Sequence, residues 1–193
     1  MKPENLQTDE ELAFEARNGS EVAFNELVDR YAQTVYRVGY GITGNRQETE
    51  DIVQETFFKA FRHVESFSPD KASFKTWLLT IARNQSINVF SSLKRKARTF
   101  FSADEDEAQS YSHTDNPFQS RHDPETQLAI KQEHKKVEDA LQKLSERQRT
   151  AIMLKAQENL SYDEIASIMK TSASSVESLI FRARRKLMEI LEK

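Results

Sequence analysis

Apolar residues recur at helical spacing along most of the chain, and the capping signals between the stripes divide it into eight predicted helices. The clearest stripe is Phe24, Leu27, Val28, Tyr31, Val35 and Val38, which predicts a long helix opened by Ser20 and closed by Gly44. Before it, Thr8 with Glu11 forms a capping box for a short helix that Gly19 ends. A third helix is expected from about Arg46 to Arg62, with Ile52, Val53, Phe57, Phe58 and Phe61 along it. Ser68-Pro-Asp70 breaks the chain, and Ser73 then caps a fourth helix carrying Trp77, Leu78, Ile81, Ala82 and Phe90.

The stripes fade over residues 98–123 and resume after Asp123-Pro124, an N-cap followed by proline at the first helical position. That helix carries Leu128, Val137, Ala140 and Leu141. Ser145 with Gln148, and Ser161 with Glu164, are capping boxes for the next two. A last helix follows Lys170-Thr-Ser172, with Val176, Leu179, Ile180, Ala183 and Leu187 on one side.

Composition supports an all-α chain of 193 residues, since glycine and proline number only four each. Hydrophobic residues make up 37%, which favours two small helical units over one large core. Cysteine is absent, so disulfides, thiolate-held zinc and thiol nucleophiles are excluded. The longest run without a charge is Asn84–Leu93, too short to span a bilayer, and the acidic Met1–Glu15 lacks the apolar stretch of a signal peptide. A soluble, cytoplasmic protein with no membrane insertion is the expectation.

The net charge of −3 argues at first against a nucleic-acid partner, but its distribution changes that. Residues 98–124 hold 6 acidic and 2 basic residues and few aliphatics, which reads as a flexible acidic linker. The expected organisation is a domain over 1–97, the linker over 98–123 and a second domain over 124–193.

Three constellations stand out. Ser161–Arg185 has the pattern of a helix-turn-helix whose second helix ends in Arg182, Arg184, Arg185 and Lys186. Hydroxyls at Ser172, Ser174, Ser175 and Ser178 gather at its N-terminus, where phosphate is favoured. An ordinary helical hairpin with a solvated basic end fits the pattern equally. Secondly, Lys71–Ala103 contains seven basic residues and no acidic one. Aromatics Phe74, Trp77, Phe90, Phe100 and Phe101 and amides Asn84, Gln85 and Asn88 are interleaved with them. Cations suit phosphates, rings stack on bases and amides read base edges, although Phe74 and Trp77 are expected to be partly core. Thirdly, Asp51, Gln54 and Glu55 share one helix face. Such a face suits a basic protein surface, but spacing alone favours a merely solvated one.

Catalytic and metal-binding patterns are missing. His113 and His122 lie in the expected linker beside Asp115 and Asp123, without metal-ligand spacing, and no glycine-rich phosphate loop occurs. No catalytic residue, metal or cofactor is expected. A metal-dependent hydrolase built on those histidines is a remote reading.

In this order, the segments resemble a bacterial RNA polymerase sigma factor of the extracytoplasmic-function (group 4) class. Phe24-Asn-Glu-Leu27 with Tyr31, Glu50-Asp-Ile-Val-Gln-Glu-Thr-Phe57, and Phe74-Lys-Thr-Trp77-Leu-Leu-Thr-Ile81-Ala-Arg-Asn84 with Asn88 look like the family's region 2. Leu141-Gln-Lys-Leu-Ser-Glu-Arg-Gln-Arg149, Leu160-Ser-Tyr-Asp-Glu-Ile-Ala166 and Phe181-Arg-Ala-Arg184 look like region 4. The likeness covers nearly the whole chain except the first residues and the linker.

The resemblance implies a non-enzymatic subunit that directs core RNA polymerase to promoters. It gives Asp51, Gln54 and Glu55 a partner, the clamp helices of the largest polymerase subunit. It places Trp77, Asn84 and Asn88 near the captured −10 strand, with Lys94, Arg95 and Lys96 towards its backbone. It places Ser175, Ser178, Phe181, Arg182 and Arg185 near the −35 element. It also implies an anti-sigma factor that covers the same surfaces. Glu177 and Leu179 depart from the polar or basic residues frequent at those positions. The competing reading is a stand-alone helix-turn-helix regulator, which leaves the segment around Asp51 unexplained.

Overall fold

The computed structural model describes residues 7–101 and 124–192, and among these every regular element is helical. The helices are α1 (Asp9–Arg17), α2 (Glu21–Thr43), α3 (Arg46–His63), α4 (Phe74–Phe101), α5 (Pro124–Gln142), α6 (Glu146–Glu158), α7 (Tyr162–Met169) and α8 (Ala173–Leu191), with a 3-10 turn at Val64–Ser66 after α3.

The helix ends follow from local chemistry. The Thr8 hydroxyl accepts the Glu11 N–H at 3.2 Å while the Glu11 carboxylate accepts the Thr8 N–H at 2.8 Å. Reciprocal boxes also open α6 at Ser145/Gln148 and α7 at Ser161/Glu164. Ser20 and Ser73 accept the N–H groups of Ala23 and Thr76, both at 3.2 Å. Asn45, which the apolar pattern did not single out, caps α3 by accepting the Glu48 N–H at 3.1 Å. Gly44 ends α2 at φ +65, and a Cβ there would collide with the Gln142 amide, so both backbone and space require glycine.

The first half closes on itself. Leu12, Ala13 and Ala16 of α1, Phe24, Leu27 and Val35 of α2, Phe57 and Ala60 of α3, and Phe74, Leu78 and Ala82 of α4 form one buried cluster. Phe24 meets Phe57 and Phe61 edge-on, with ring centroids 6.5 and 5.0 Å apart. Phe74 is fully buried, and Trp77 leans on it and on Phe67, each at 5.6 Å.

A second cluster crosses between the halves. Val38 and Ile42 of α2 and Leu79 of α4 join Ala151 and Leu154 of α6, Leu160, Ile165, Ile168 and Met169 around α7, and Val176 and Ile180 of α8. Helix α2 reaches both clusters because 23 residues at about 1.5 Å rise span about 35 Å. Burying each aliphatic side chain contributes about 2 kcal/mol. The expected pair of separate cores is therefore one closed core and one shared.

One boundary differs from the sequence reading. Helix α4 continues to Phe101, past the expected linker start at residue 98, because Lys94–Phe101 contains neither glycine nor proline. The rest of that segment, including Asp104–Glu107, His113, His122 and the Asp123 cap, lies outside the described residues.

Candidate nucleic-acid interface

Helices α7 and α8 form the helix-turn-helix. The turn is Lys170–Ser172, with the Thr171 N–H donating to Ala166 O at 3.0 Å and the Lys170 N–H to Ser167 O at 3.2 Å. Lys170 occupies the left-handed region at φ +50, where glycine is the usual residue. Lys170→Gly is expected to raise stability by about 0.5–1 kcal/mol by removing that strain. A thermal melt with an unchanged or lower midpoint would contradict this.

Ser172 caps α8 by accepting the Ser175 N–H at 3.2 Å, and its hydroxyl also lies 2.9 Å from the Ser175 hydroxyl. Val176, Ile180 and Ala183 bury one side of α8. Ser178, Phe181, Arg182, Arg184, Arg185 and Lys186 face solvent, with Phe181 at 65% exposure, and Ser175 is half-buried. Arg182 is held along the helix by the Ser178 carbonyl at 3.1 Å, and Arg185 lies 3.6 Å from Glu189. Glu177 is exposed one turn before Phe181, whereas Leu179 packs against the shared cluster. An apolar residue at position 179 is thus explained by packing.

Helix α4 presents two faces. Trp77, Ile81, Asn84 and Asn88 follow one another at helical spacing on one. Trp77 is half-buried against aromatics, Asn84 is half-buried and accepts from Arg83 at 3.2 Å, and Asn88 is exposed. Lys94 and Arg95 are exposed towards the C-terminal end, and the Lys96 side chain lies outside the described residues.

Lys75, Leu79 and Arg83, at four-residue intervals, line the opposite face and meet the C-terminal half. The side chain of Glu158 at the end of α6 is only 4% exposed and pairs with Lys75 at 2.9 Å and Arg37 at 2.8 Å. Burial pushes this carboxyl up, but hydrogen bonds from Arg37 and Lys75 outweigh it and hold it below the usual carboxylate range. A lowered carboxyl favours the packed state above its ordinary range and loses that contribution as pH falls through the lowered value. Arg83 lies 3.7 Å from Glu146. Tyr40, pushed up to about 12 by burial and by Glu138, donates to Glu138 at 3.0 Å.

Arg149 of α6 is 2% exposed. It donates to Ile42 O at 3.0 Å, to the Gln142 side chain and to Leu144 O at 3.5 Å, and it stacks over Phe90 at 4.8 Å. Sequence reasoning missed both Arg149 and Glu158. The available signal was helical phase: Arg149 precedes the buried Met153 by four residues, and Glu158 follows the buried Leu154 by four.

On α3, Ile52, Thr56 and Phe57 are buried while Asp51, Gln54 and Glu55 are exposed. Glu55 pairs with Lys59 at 3.2 Å. The acidic and amide face is intact and open, and Phe58, 55% exposed, continues it.

Among the described residues no cluster of His, Cys, Asp or Glu could hold a metal ion, and no helix is long and apolar enough to cross a membrane. Residues 27–99 match the sigma-70 region 2 family model and residues 134–187 the sigma-70 region 4 model. The ECF RNA polymerase sigma-E factor of Haemophilus influenzae is 36% identical over 177 residues, covering 92% of each chain. Among solved structures, CnrH in complex with the cytosolic domain of CnrY matches with a TM-score of 0.71 at 26% identity, covering 96% of this chain and 98% of that one. The sigma factor RpoE in complex with the anti-sigma factor NepR from Bartonella quintana matches with a TM-score of 0.66 at 25% identity, covering 88% and 96%. A stand-alone helix-turn-helix regulator would leave residues 27–99 unexplained. With both regions matched in order and a relative aligned along nearly its whole length, this chain belongs to the extracytoplasmic-function sigma factors, which direct RNA polymerase to promoters.

Proposed function

We propose that this sigma factor works by docking on core RNA polymerase, recognising promoter DNA at two sites and capturing one unpaired strand, with no bond chemistry of its own. The observation that carries this reading is the coexistence of a helix-turn-helix whose second helix exposes Arg182, Arg184, Arg185 and Lys186 and, on a different helix, an exposed acidic face. DNA phosphates repel Asp51 and Glu55, so that face needs a basic protein partner, and the clamp helices of the polymerase supply one. Region 2 (1–97) and region 4 (124–193) act as the two reading units, with 98–123 as the linker between them.

Asn84 and Asn88 hydrogen-bond bases of the −10 strand, Trp77 offers the outer part of its ring for stacking, and Lys94, Arg95 and Lys96 neutralise the backbone. A base must leave its stack to be read in this way, at a cost of about a few kcal/mol, so capture is coupled to duplex opening. On α8, Ser175, Ser178, Arg182 and Arg185 contact the −35 element, with Phe181 against its base edges. The acidic charge of Asp104–Glu107 mimics that of nucleic acid towards the RNA exit path of the polymerase. The protein acts in the cytoplasm, and its partners include an anti-sigma factor that covers the same surfaces.

Run-off transcription with core polymerase over a genomic promoter library tests the reading. Promoter-dependent transcripts are expected, and their absence would sink it. Within that assay, Asn84→Ala is expected to reduce open complex about tenfold while leaving closed complex within about twofold, consistent with loss of a base contact worth about 1–3 kcal/mol. Permanganate reactivity of the −10 thymines reads the difference, and unchanged reactivity would contradict the role of Asn84.

A further inference from the structure

The N-terminal half of α8, from Ala173 to Phe181, contains one acidic residue, Glu177. Val176, Ile180 and Ala183 are buried, so the opposite side of the helix, centred on Ser174, Ser178, Phe181 and Arg185, faces outward. Glu177 is exposed at the edge of that side, one turn before Phe181. It stands in the second turn of α8. In a helix-turn-helix the N-terminal residues of the second helix meet base edges in the major groove.

No cation answers this carboxylate. The residues three and four positions away along the helix are Ala173, Ser174, Ile180 and Phe181, none of them basic. Other exposed acids sit four residues from a partner: Glu26 with Arg30 and Glu50 with Arg46 at 3.1 Å, Glu55 with Lys59 at 3.2 Å, and on α8 itself Glu189 with Arg185 at 3.6 Å. Arg182, five positions on, is turned to the Ser178 carbonyl at 3.1 Å. Among the described residues no ion pair or hydrogen bond takes up the Glu177 carboxylate. Phosphates repel such a group, so its place on a DNA-reading helix is favourable only where the DNA offers it a donor.

In the major groove two base groups donate, the N4 amine of cytosine and the N6 amine of adenine. A carboxylate only accepts. It therefore rejects guanine, whose O6 and N7 both accept, and thymine, whose O4 accepts. Adenine offers its amine beside N7, whose lone pair repels the second carboxylate oxygen. Cytosine offers its amine beside C5–H, which does not.

We infer that Glu177 is a specificity-determining residue of this sigma factor, accepting from the N4 amine of one cytosine in the −35 element. The inference rests on the two-site promoter reading above and adds to it a base and an atom. Phe181, 65% exposed, stands four residues further on, about 6 Å along the helix axis. Its ring thus meets a neighbouring base pair, where an apolar contact favours the methyl group of thymine.

The test uses the full-length protein with core polymerase on a promoter from the genomic library whose −35 element has been randomised, and counts the sequences that are transcribed. With the unsubstituted protein, one position is expected to favour cytosine over guanine and thymine by about tenfold, the discrimination of one good base contact. Glu177→Ala should bring that preference to within about twofold and leave the other positions as they were, as expected for loss of a base reader. Glu177→Gln should move it to adenine, because an amide can donate to N7 while it accepts from N6. That gain also shows that a change at this exposed position leaves the protein folded. A profile unchanged in Glu177→Ala overturns the inference, and so does the loss of a preference for any base other than cytosine. Stronger use of every sequence with no change in profile places the carboxylate beside phosphate and overturns it as well. A profile of the unsubstituted protein with no preference at any −35 position defeats the two-site reading itself.

Discussion

Arg149→Ala is expected to cost about 3 kcal/mol of stability, the largest single-residue effect this structure implies outside the fully apolar positions. The guanidinium serves as a cap from a distance. Ile42 lies in the last turn of α2, where carbonyls have no partner within the helix and carry the negative end of its dipole, and Arg149 donates to Ile42 O from the other half of the molecule. The same group reaches Gln142 and Leu144 around the end of α5. Burial pulls its pKa down, with Glu146 acting in the opposite direction, and arginine still remains charged. Alanine leaves a void beside Phe90 and strips two buried carbonyls of a donor, at about 1–3 kcal/mol each. Arg149→Lys should recover only part of the loss, since a single ammonium cannot fork to separate acceptors. Urea unfolding followed by circular dichroism measures both variants, and an Arg149→Ala midpoint equal to that of the unsubstituted protein would refute the argument.

Asp51→Ala combined with Gln54→Ala is expected to weaken binding to core polymerase by at least tenfold while leaving the fold intact. Both side chains are exposed on α3, so removing them leaves no cavity, and the loss falls on the partner. Truncating one side of a charged interface pair costs about 2–5 kcal/mol when the pair is desolvated. Binding of −35 duplex by α8 should change less than twofold. Calorimetry with core polymerase decides the matter, and equal affinity would return this face to a merely solvated one. Phe58 continues the same face, so adding Phe58→Ala should deepen the defect.

Local chemistry made most of the elements readable in advance. Capping boxes at Thr8, Ser145 and Ser161 depend on side chains within three residues of one another, and each opens its helix where the pattern puts it. Gly44 was equally readable, because a left-handed terminus is a property of the residue itself. The end of α4 was less so: the change in composition near residue 98 marks a change in solvation, and helix propensity carries the backbone on to Phe101. Of the candidate site, the exposure of Asp51, Gln54, Glu55 and Asn88 agrees with their helical phase. The turn of the helix-turn-helix was legible despite Lys170, which takes the left-handed conformation that glycine would have adopted more easily.

Long-range pairing was not legible. Arg37, Lys75, Arg83, Glu146 and Glu158 look like ordinary surface charges when each is read against its neighbours, and only the meeting of α2 and α4 with α6 and α7 turns them into partners. Periodicity within a helix says which face is apolar but not which apolar face it will meet. Val38 and Ile42 continue the stripe of Leu27 and Val35, yet they belong to a different cluster. The chain alone settled that the protein is all-helical and which family it resembles, because helical spacing, capping residues and the order of motifs are written in the sequence itself. Folding in three dimensions decided that the two halves share a core and a buried charge cluster, because those energies arise between residues as much as 124 positions apart, where no local pattern reaches.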